Sequence, residues 1–277
     1  MKRRHVDPRW QQIQHTGQLG GRRVHYLATV ASTNALALEG GRGGVASGTV
    51  WVAETQTAGR GRLGKGWQSP SGAGLYATIL LRPQLPVDEL SRLTLAAGLA
   101  VACAIDQVSG LVSAIKWPND VLLAGKKVAG VLAECDLANG AVPLVALGVG
   151  VNLSTSEGQF PPEIRGRATS LLLASGRDIG RGEILLLLLD GIEREMARLE
   201  QGDFAGILAD WRIKDATAHK KIAWLTTEGQ AVCGVSLGPD PEGMLVIRDG
   251  AGGLHHVLSG DLTLDPNRLN GYVPATR

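Results

Sequence analysis

A chain of 277 residues with 44% apolar content suits one large domain, or one domain and a small module, around a real core. The 28 basic and 26 acidic residues leave a formal charge of +2, which argues against broad non-specific nucleic-acid binding. Three scattered cysteines, Cys103, Cys135 and Cys233, form no CxxC pair and exclude a disulfide framework or a zinc knuckle. The N-terminal "MKRRHVDPRWQQIQ" is basic, but no apolar stretch follows it, so it does not read as a secretory signal. "ILLLLLD" at 184–190 is too short to span a membrane. The expectation is a soluble, cytoplasmic protein without a membrane partner.

In chain order, "RVHYLATV" (23–30) has strand composition, and "STNALALEGG" reads as a helix capped by Ser32 or Thr33 and ended by Gly40. "GTVWVAET" (48–55) and "LYATILLRP" (75–83) read as strands on either side of a glycine-rich run. "DELSRLTLAAGLAVACAIDQV" (88–108) reads as a buried helix, apolar on every side in its middle. "SAIKWP" is a short strand ended by proline. "DVLLAGKKVAGVLAECD" (120–136) reads as a hairpin turning at Gly125, and "VPLVALGVGVNLS" (142–154) as a central strand. Three helices follow. In "GEILLLLLDGIEREMARLEQ", Leu185, Leu188, Ile192, Met196 and Leu199 make one apolar stripe, opposite Glu193, Arg194 and Glu200. From about Lys220 the pattern changes to short strands and turns, a small all-β module. The predicted domains are 1–217 and 218–277.

The chemistry concentrates in five places. "AGRGRLGKGW" (58–67) interleaves Gly59, Gly61, Gly64 and Gly66 with Arg60, Arg62 and Lys65. Its glycines let backbone N–H groups approach an anion, and its arginines add bidentate donors. It is neither a Walker loop nor a GxGxxG turn, because a strand follows it. Taken alone, it reads rather as a mobile, solvated basic loop. "KWPND" (116–120) sets Lys116 near a strand end, with Asn119 and Asp120 as oxygen ligands for a nucleotide or Mg²⁺, or as ordinary turn formers. "STN" (32–34) offers short polar side chains at a helix start. "GVGVNL" ends a buried strand at Asn152. "VAGVL" places Gly130 within a strand. No histidine spacing suggests a metal, no GxSxG elbow exists, and no cysteine stands as a nucleophile.

The order of "STN", "AETQTAGRGRLGKGWQSP", "GLYATILLRP", "KWPNDVLLAGKKVAGVLAE" and "GVGVNLS", from about Tyr26 to Ser154, resembles the catalytic domain of biotin–protein ligases. The resemblance implies an α+β fold: a mixed β-sheet catalytic domain flanked by helices, like class II synthetases and lipoate ligases, with a small C-terminal SH3-like β-barrel. It implies an ATP-dependent, AMP-forming ligase. Such an enzyme makes biotinyl-5′-AMP and passes biotin to a lysine of a carboxylase carrier domain. By motif, Ser32, Thr33, Asn34, Gln56, Gly59, Arg60, Gly61, Arg62, Lys116 and Gly130 would hold biotin. Arg62, Lys65, Trp67, Asn119 and Asn152 would serve ATP. Lys116 and Arg60 would carry the catalytic charge, with Mg²⁺ on the phosphates and no readable metal site. The glycine run would be a lid that orders on ligand.

Lys65 stands where the family usually has a second arginine, as a point charge without bidentate reach. His219 and Lys220 stand where the last module usually has a glycine before its first strand, so a different first turn is expected. Relatives that repress transcription carry an N-terminal winged helix of about 60 residues. The 25 or so residues before "HYLATVASTN" are too few, so no operator DNA is expected as a partner. An exposed sheet edge could pair into a homodimer.

Overall fold

The computed structural model describes residues 23–137, 143–225, 231–258 and 261–263. The chain opens as strand β1 (Val24–Leu27), helix α1 (Thr33–Arg42) and strand β2 (Val50–Ala53), with β1 and β2 parallel because the helix carries the chain back across the sheet. Strands β3 (Gly74–Leu81), β4 (Ala114–Lys116), β5 (Asp120–Leu123), β6 (Lys126–Asp136) and β7 (Leu144–Asn152) complete a seven-stranded sheet. Its order is β1-β2-β3-β7-β6-β5-β4, and every pair after the first is antiparallel. β7 is the middle strand, as its continuous apolar run implies.

Helices α2 (Arg92–Ser109), α3 (Leu171–Ser175), α4 (Arg181–Glu200) and α5 (Phe204–Ile213) supply the rest of the layer structure. α1 covers one face through a small cluster of Ala37, Trp51, Leu80, Leu144 and Ala146. The main core lies on the other face, where α2, α4 and α5 pack. All eight residues of β3 are buried, since both faces are covered. Each fully buried leucine there contributes roughly 1.5–3 kcal/mol. The segment Val87–Ser109, which contains α2, is long and apolar enough to cross a membrane by length and composition, yet it forms the centre of this core.

Two details depart from the sequence expectation. Ser32 does cap α1, accepting from the Ala35 amide, but the helix continues past Gly40 to Arg42. A Cβ on Gly40 would lie 2.9 Å from the Trp51 ring, and one on Gly41 would lie 2.6 Å from Leu144. Those glycines let α1 sit close on the sheet rather than ending it. On α4 the expected stripe is buried, and so is Glu195, held by Arg194 and by Arg198, each at 2.9 Å.

The second sheet comprises β8 (Lys221–Leu225), β9 (Ala231–Pro239), β10 (Leu245–Asp249), β11 (Leu254–Val257) and β12 (Asp261–Thr263). It is antiparallel, in the order β11-β10-β9-β8-β12, and fits the expected SH3-like module. His219, where the family usually has glycine, adopts φ of 58°, a left-handed conformation that glycine favours and histidine tolerates. Asp240 organises the β9–β10 turn by accepting from the Glu242 and Met244 amides. That turn presents the Gly243 carbonyl to the Trp117 indole N–H at 3.0 Å. Residues 226–230 and the basic N-terminal stretch lie outside the described residues.

Candidate active site

A half-open cleft lies on the sheet beside the start of α1, with about 350 Å³ of space, open solvent included. Ser32, Thr33, Asn34, Gln56, Arg60, Trp67 and Gly130 all line it. Tyr76, Ala77, Leu132, Gly148, Val149 and Gly150 complete its walls.

Its polar end is tightly wired. Gln56 Oε1 accepts from the Thr33 amide at 2.9 Å and from the Thr33 hydroxyl at 3.1 Å. Gln56 Nε2 donates to Ser69 at 3.2 Å. The buried Thr78 hydroxyl lies 2.8 Å from Thr33 Oγ1 and 2.6 Å from Asn34 Oδ1, and its one proton serves one of them at a time. Asn34 Nδ2 donates to Glu134 Oε2 at 2.8 Å and to the Leu132 carbonyl at 3.3 Å. Glu134 Oε1 in turn accepts from Arg60 at 3.1 Å.

The floor is made by omission of side chains. Gly130 on β6 pairs with Gly150 on β7. A Cβ on Gly150 would fall 2.5 Å from the Trp67 ring, and one on Gly148 would fall 2.3 Å from Asn34 Oδ1. The indole of Trp67 therefore lies flat against a stretch of bare backbone. Its N–H is buried and has no hydrogen-bond partner among the described residues.

The run 58–67 is a closed hairpin. Trp67 donates its amide to the Gly59 carbonyl at 2.9 Å, and Gly61 donates to Lys65 at 2.6 Å. Leu63 at the tip has φ of 55° and is 61% exposed. Gly59 admits no side chain, because its Cβ would meet the Trp67 carbonyl oxygen at 2.5 Å.

Beside the cleft, Asp120 gathers the cations. Lys127 Nζ lies 2.5 Å from its carboxylate and Lys116 Nζ 3.7 Å. Burial works to raise the Asp120 pKa, but the two lysine charges outweigh it and hold the carboxyl below its ordinary range. Arg62 donates to Asn119 at 3.4 Å, and Asn119 donates to the Val131 carbonyl at 2.8 Å.

The predicted residues therefore divide. Those named above meet in the cleft. Gly59, Gly61 and Lys65 shape the hairpin instead, and Arg62 with Asn119 forms a rim over β6. Asn152 is buried and donates to the Thr169 carbonyl at 3.0 Å, away from the cleft walls. Lys116 lies behind Asp120 and does not line the cleft.

Lys127, like Lys116, does not line the cleft, but it comes up against the backbone of Gly130. It stands 5.2 Å from the Trp67 ring centroid and 3.2 Å from the point where a Gly130 Cβ would be. Strand alternation would put Lys127 and Gly130 on opposite faces. The pairing of β5 with β6 shifts between Val121 and Leu122, however, and this irregularity breaks the parity. Glu134 was also missed, because a lone glutamate on a strand carries no signal of its own.

Among the described residues no cluster of three His, Cys, Asp or Glu side chains could cage a metal ion. Burial pushes the half-buried Cys103 thiol up, away from a nucleophilic thiolate.

Known proteins place this geometry. Residues 26–152 match the biotin/lipoate A/B protein ligase family. A biotin--[acetyl-CoA-carboxylase] ligase of Mycobacterium tuberculosis is 36% identical over 251 residues, covering 88% of this chain and 89% of that relative. The bifunctional ligase/repressor BirA of Bacillus subtilis is 33% identical over 244 residues, covering 88% and 74%. The biotin protein ligase of Aquifex aeolicus, solved in complex with biotin and ATP, has a TM-score of 0.76 at 32% identity and covers 87% of this chain and 97% of its own. Over both its sheets and its cleft, this chain belongs to the biotin/lipoate A/B protein ligase family, and within it to the biotin protein ligases.

Proposed function

We propose that this chain joins biotin and ATP to biotinyl-5′-AMP and then transfers biotin to one lysine of a carboxylase biotin carrier domain. The observation that carries the reading is the convergence of "STN", Gln56, Arg60 and Gly130 on one cleft, from segments nearly 100 residues apart in sequence. Ser32, Thr33, Asn34 and Gln56 form the polar end for biotin's ring system, and the bare backbone of Gly130 and Gly150 seats the Trp67 indole that walls the cleft.

In the first step a biotin carboxylate oxygen attacks the α-phosphorus of ATP, and pyrophosphate leaves. Both reactants are anions, so the encounter needs cations in place beforehand. Arg60 supplies one from the hairpin. Lys116 and Lys127, which share Asp120, would supply the second, Lys127 from beside Gly130. Trp67 offers the flat apolar face for a heterocycle. Arg62, Lys65 and Asn119 lie along the nucleotide side, and Asn152 acts through the 168–170 segment. In the second step the carrier lysine amine attacks the acyl carbon, AMP leaves and the amine loses a proton. The hairpin shields the mixed anhydride from water between the steps. The described residues do not form a protein cage for Mg²⁺, and Asp120 is already neutralised by two lysines.

Three unpaired cysteines support a reducing, cytoplasmic setting, and the near-balanced charge supports a ligase without operator binding. Homodimer pairing would use the β1 edge, which sedimentation at varied concentration tests. The function itself is tested by incubating the chain with biotin, ATP and a biotin-accepting carrier domain. Expected are biotin-dependent ATP–pyrophosphate exchange and one biotin's mass on the carrier. Mass gain on a lipoyl domain instead would move the protein to the lipoate branch.

A further inference from the structure

Glu54 directly follows β2 and stands two residues before Gln56. Its carboxylate is a meeting point outside the cleft. The Tyr26 hydroxyl donates to it at 2.5 Å. Arg181, at the first turn of α4, grips both oxygens, with Nη2 to Oε1 at 2.8 Å. Gly72 packs against the pair, where a Cβ would lie 3.7 Å from Arg181 Nη2 and 3.8 Å from Glu54 Oε1. Four segments thus meet on one charged group: β1, the end of β2, the returning limb of the glycine hairpin and the helical layer. The Arg181 and Glu54 side chains are 12% and 21% exposed, so the pair is mostly shielded from water. The Arg181 hydrogen bonds hold the Glu54 carboxyl below its ordinary range against the opposing effect of burial.

The outgoing limb of the hairpin stem starts at Glu54, and the returning limb leads to Gly72 beside the pair. On the outgoing limb, Glu54 donates its amide to Leu27, Thr57 to Val30 and Ala58 to Ala31, which runs straight into Ser32. On the returning limb, the Pro70 carbonyl accepts from Tyr76, a cleft wall residue, at 3.0 Å. Gln56 and Ser69 then join the limbs side chain to side chain. Bidentate arginine–carboxylate geometry fixes angle as well as distance, which a single contact does not.

We propose that Glu54 and Arg181 are positioning residues for the hairpin 58–67, their ion pair fixing both limbs of its stem so that Arg60 and Trp67 close over the acyl phosphate and keep water from it. The inference rests on the ligase reading above. Neither side chain lines the cleft; both act through Gln56 and the stem.

The experiment measures free AMP released per biotin attached to a carrier domain, with the full chain at saturating biotin and ATP. Glu54→Gln is expected to raise this ratio about five- to tenfold, the scale of losing charge-assisted hydrogen bonds. Arg181→Lys, a point charge in place of a fork, is expected to give an intermediate rise. Tyr26→Phe deletes one hydroxyl and preserves the ion pair; it is expected to fold normally and to raise the ratio about twofold. A merely structural role would lower the melting temperature and the active fraction but leave the ratio unchanged. An unchanged ratio in folded Tyr26→Phe and Glu54→Gln, with coupled turnover in the unaltered chain, overturns this inference alone. Absence of biotin-dependent ATP turnover in the unaltered chain overturns the ligase reading and this inference with it.

Discussion

Arg60 rides on a glycine hairpin with its side chain 55% exposed and a single 3.1 Å ion pair to Glu134. Lys127 stands on a strand of the seven-stranded sheet, 33% exposed, with Asp120 at 2.5 Å and an indole face beside it. The two cations stand in and beside one cleft on opposite kinds of support. An exposed ion pair contributes about 0–1 kcal/mol, so a ligand anion can recruit Arg60 away from Glu134 with little loss. Lys127 is shared with a shielded carboxylate and fixed by sheet register, so its charge is present before any ligand arrives. On the proposed reading the difference separates two tasks: the strand-borne cation prepares the field, and the loop-borne cation responds to what enters it.

The sharpest way to break this comparison is Lys127→Ala. It is expected to lower biotin-dependent pyrophosphate exchange about 10²- to 10³-fold, while Lys116→Ala lowers it about tenfold. The reverse order would return the principal role to Lys116. Next comes Gly59→Ala, whose methyl would collide with a backbone oxygen that cannot swing aside. The hairpin should open, with kcat/KM down about tenfold and more solvent-exposed tryptophan emission. If the loop does respond to ligand, biotin with ATP should slow proteolysis within 58–67 about three- to fivefold, since cleavage tracks the open population. No protection would make the hairpin as fixed as the strand.

A smaller effect is expected from Glu134→Gln, which keeps an acceptor for Asn34 but removes the charge competing for Arg60. Calorimetry should show biotinyl-5′-AMP binding tightened about two- to threefold. Weaker binding would mean that Glu134 orients Arg60 rather than competing with the ligand. The smallest effect concerns pH. Glu54 has a folded pKa below its ordinary 4.5, so its stabilisation is fully present above 4.5 and is lost as pH falls through the lower folded value. The melting-temperature gap between the unaltered chain and Glu54→Gln should therefore stay constant at neutral pH and shrink only below 4.5.

The sheet's middle strand, the buried helix and the small β module were legible because apolar runs and glycine or proline breaks mark them directly. The site was legible as an ordered set of motifs, since no single motif distinguished a lid from a solvated loop. What escaped had physical reasons. Gly40 and Gly41 read as a helix end because sequence does not reveal that Trp51 and Leu144 press against them. Lys127 was hidden by a strand irregularity that alternation cannot foresee. Glu134 and Glu195 are charges whose partners, Arg60 and Asn34 or Arg194 and Arg198, matter only once the chain has folded. The Glu54–Arg181 pair joins residues 127 positions apart and leaves no local trace.

The hydrogen bond from Trp117 to the Gly243 carbonyl has a bearing on how the chain can be divided. Trp117 sits between Lys116 and the Pro-Asn-Asp turn, and Gly243 also packs on Leu95 and Phe204 of the core, where its Cβ would lie 3.0 and 3.2 Å away. Cutting at the change of sequence pattern near residue 217 would orphan an indole N–H next to Lys116 and uncover two core side chains. The C-terminal sheet is thus a brace for the ligase half rather than a detachable appendage, and fragments made at that seam should be judged as damaged enzymes, not as minimal ones.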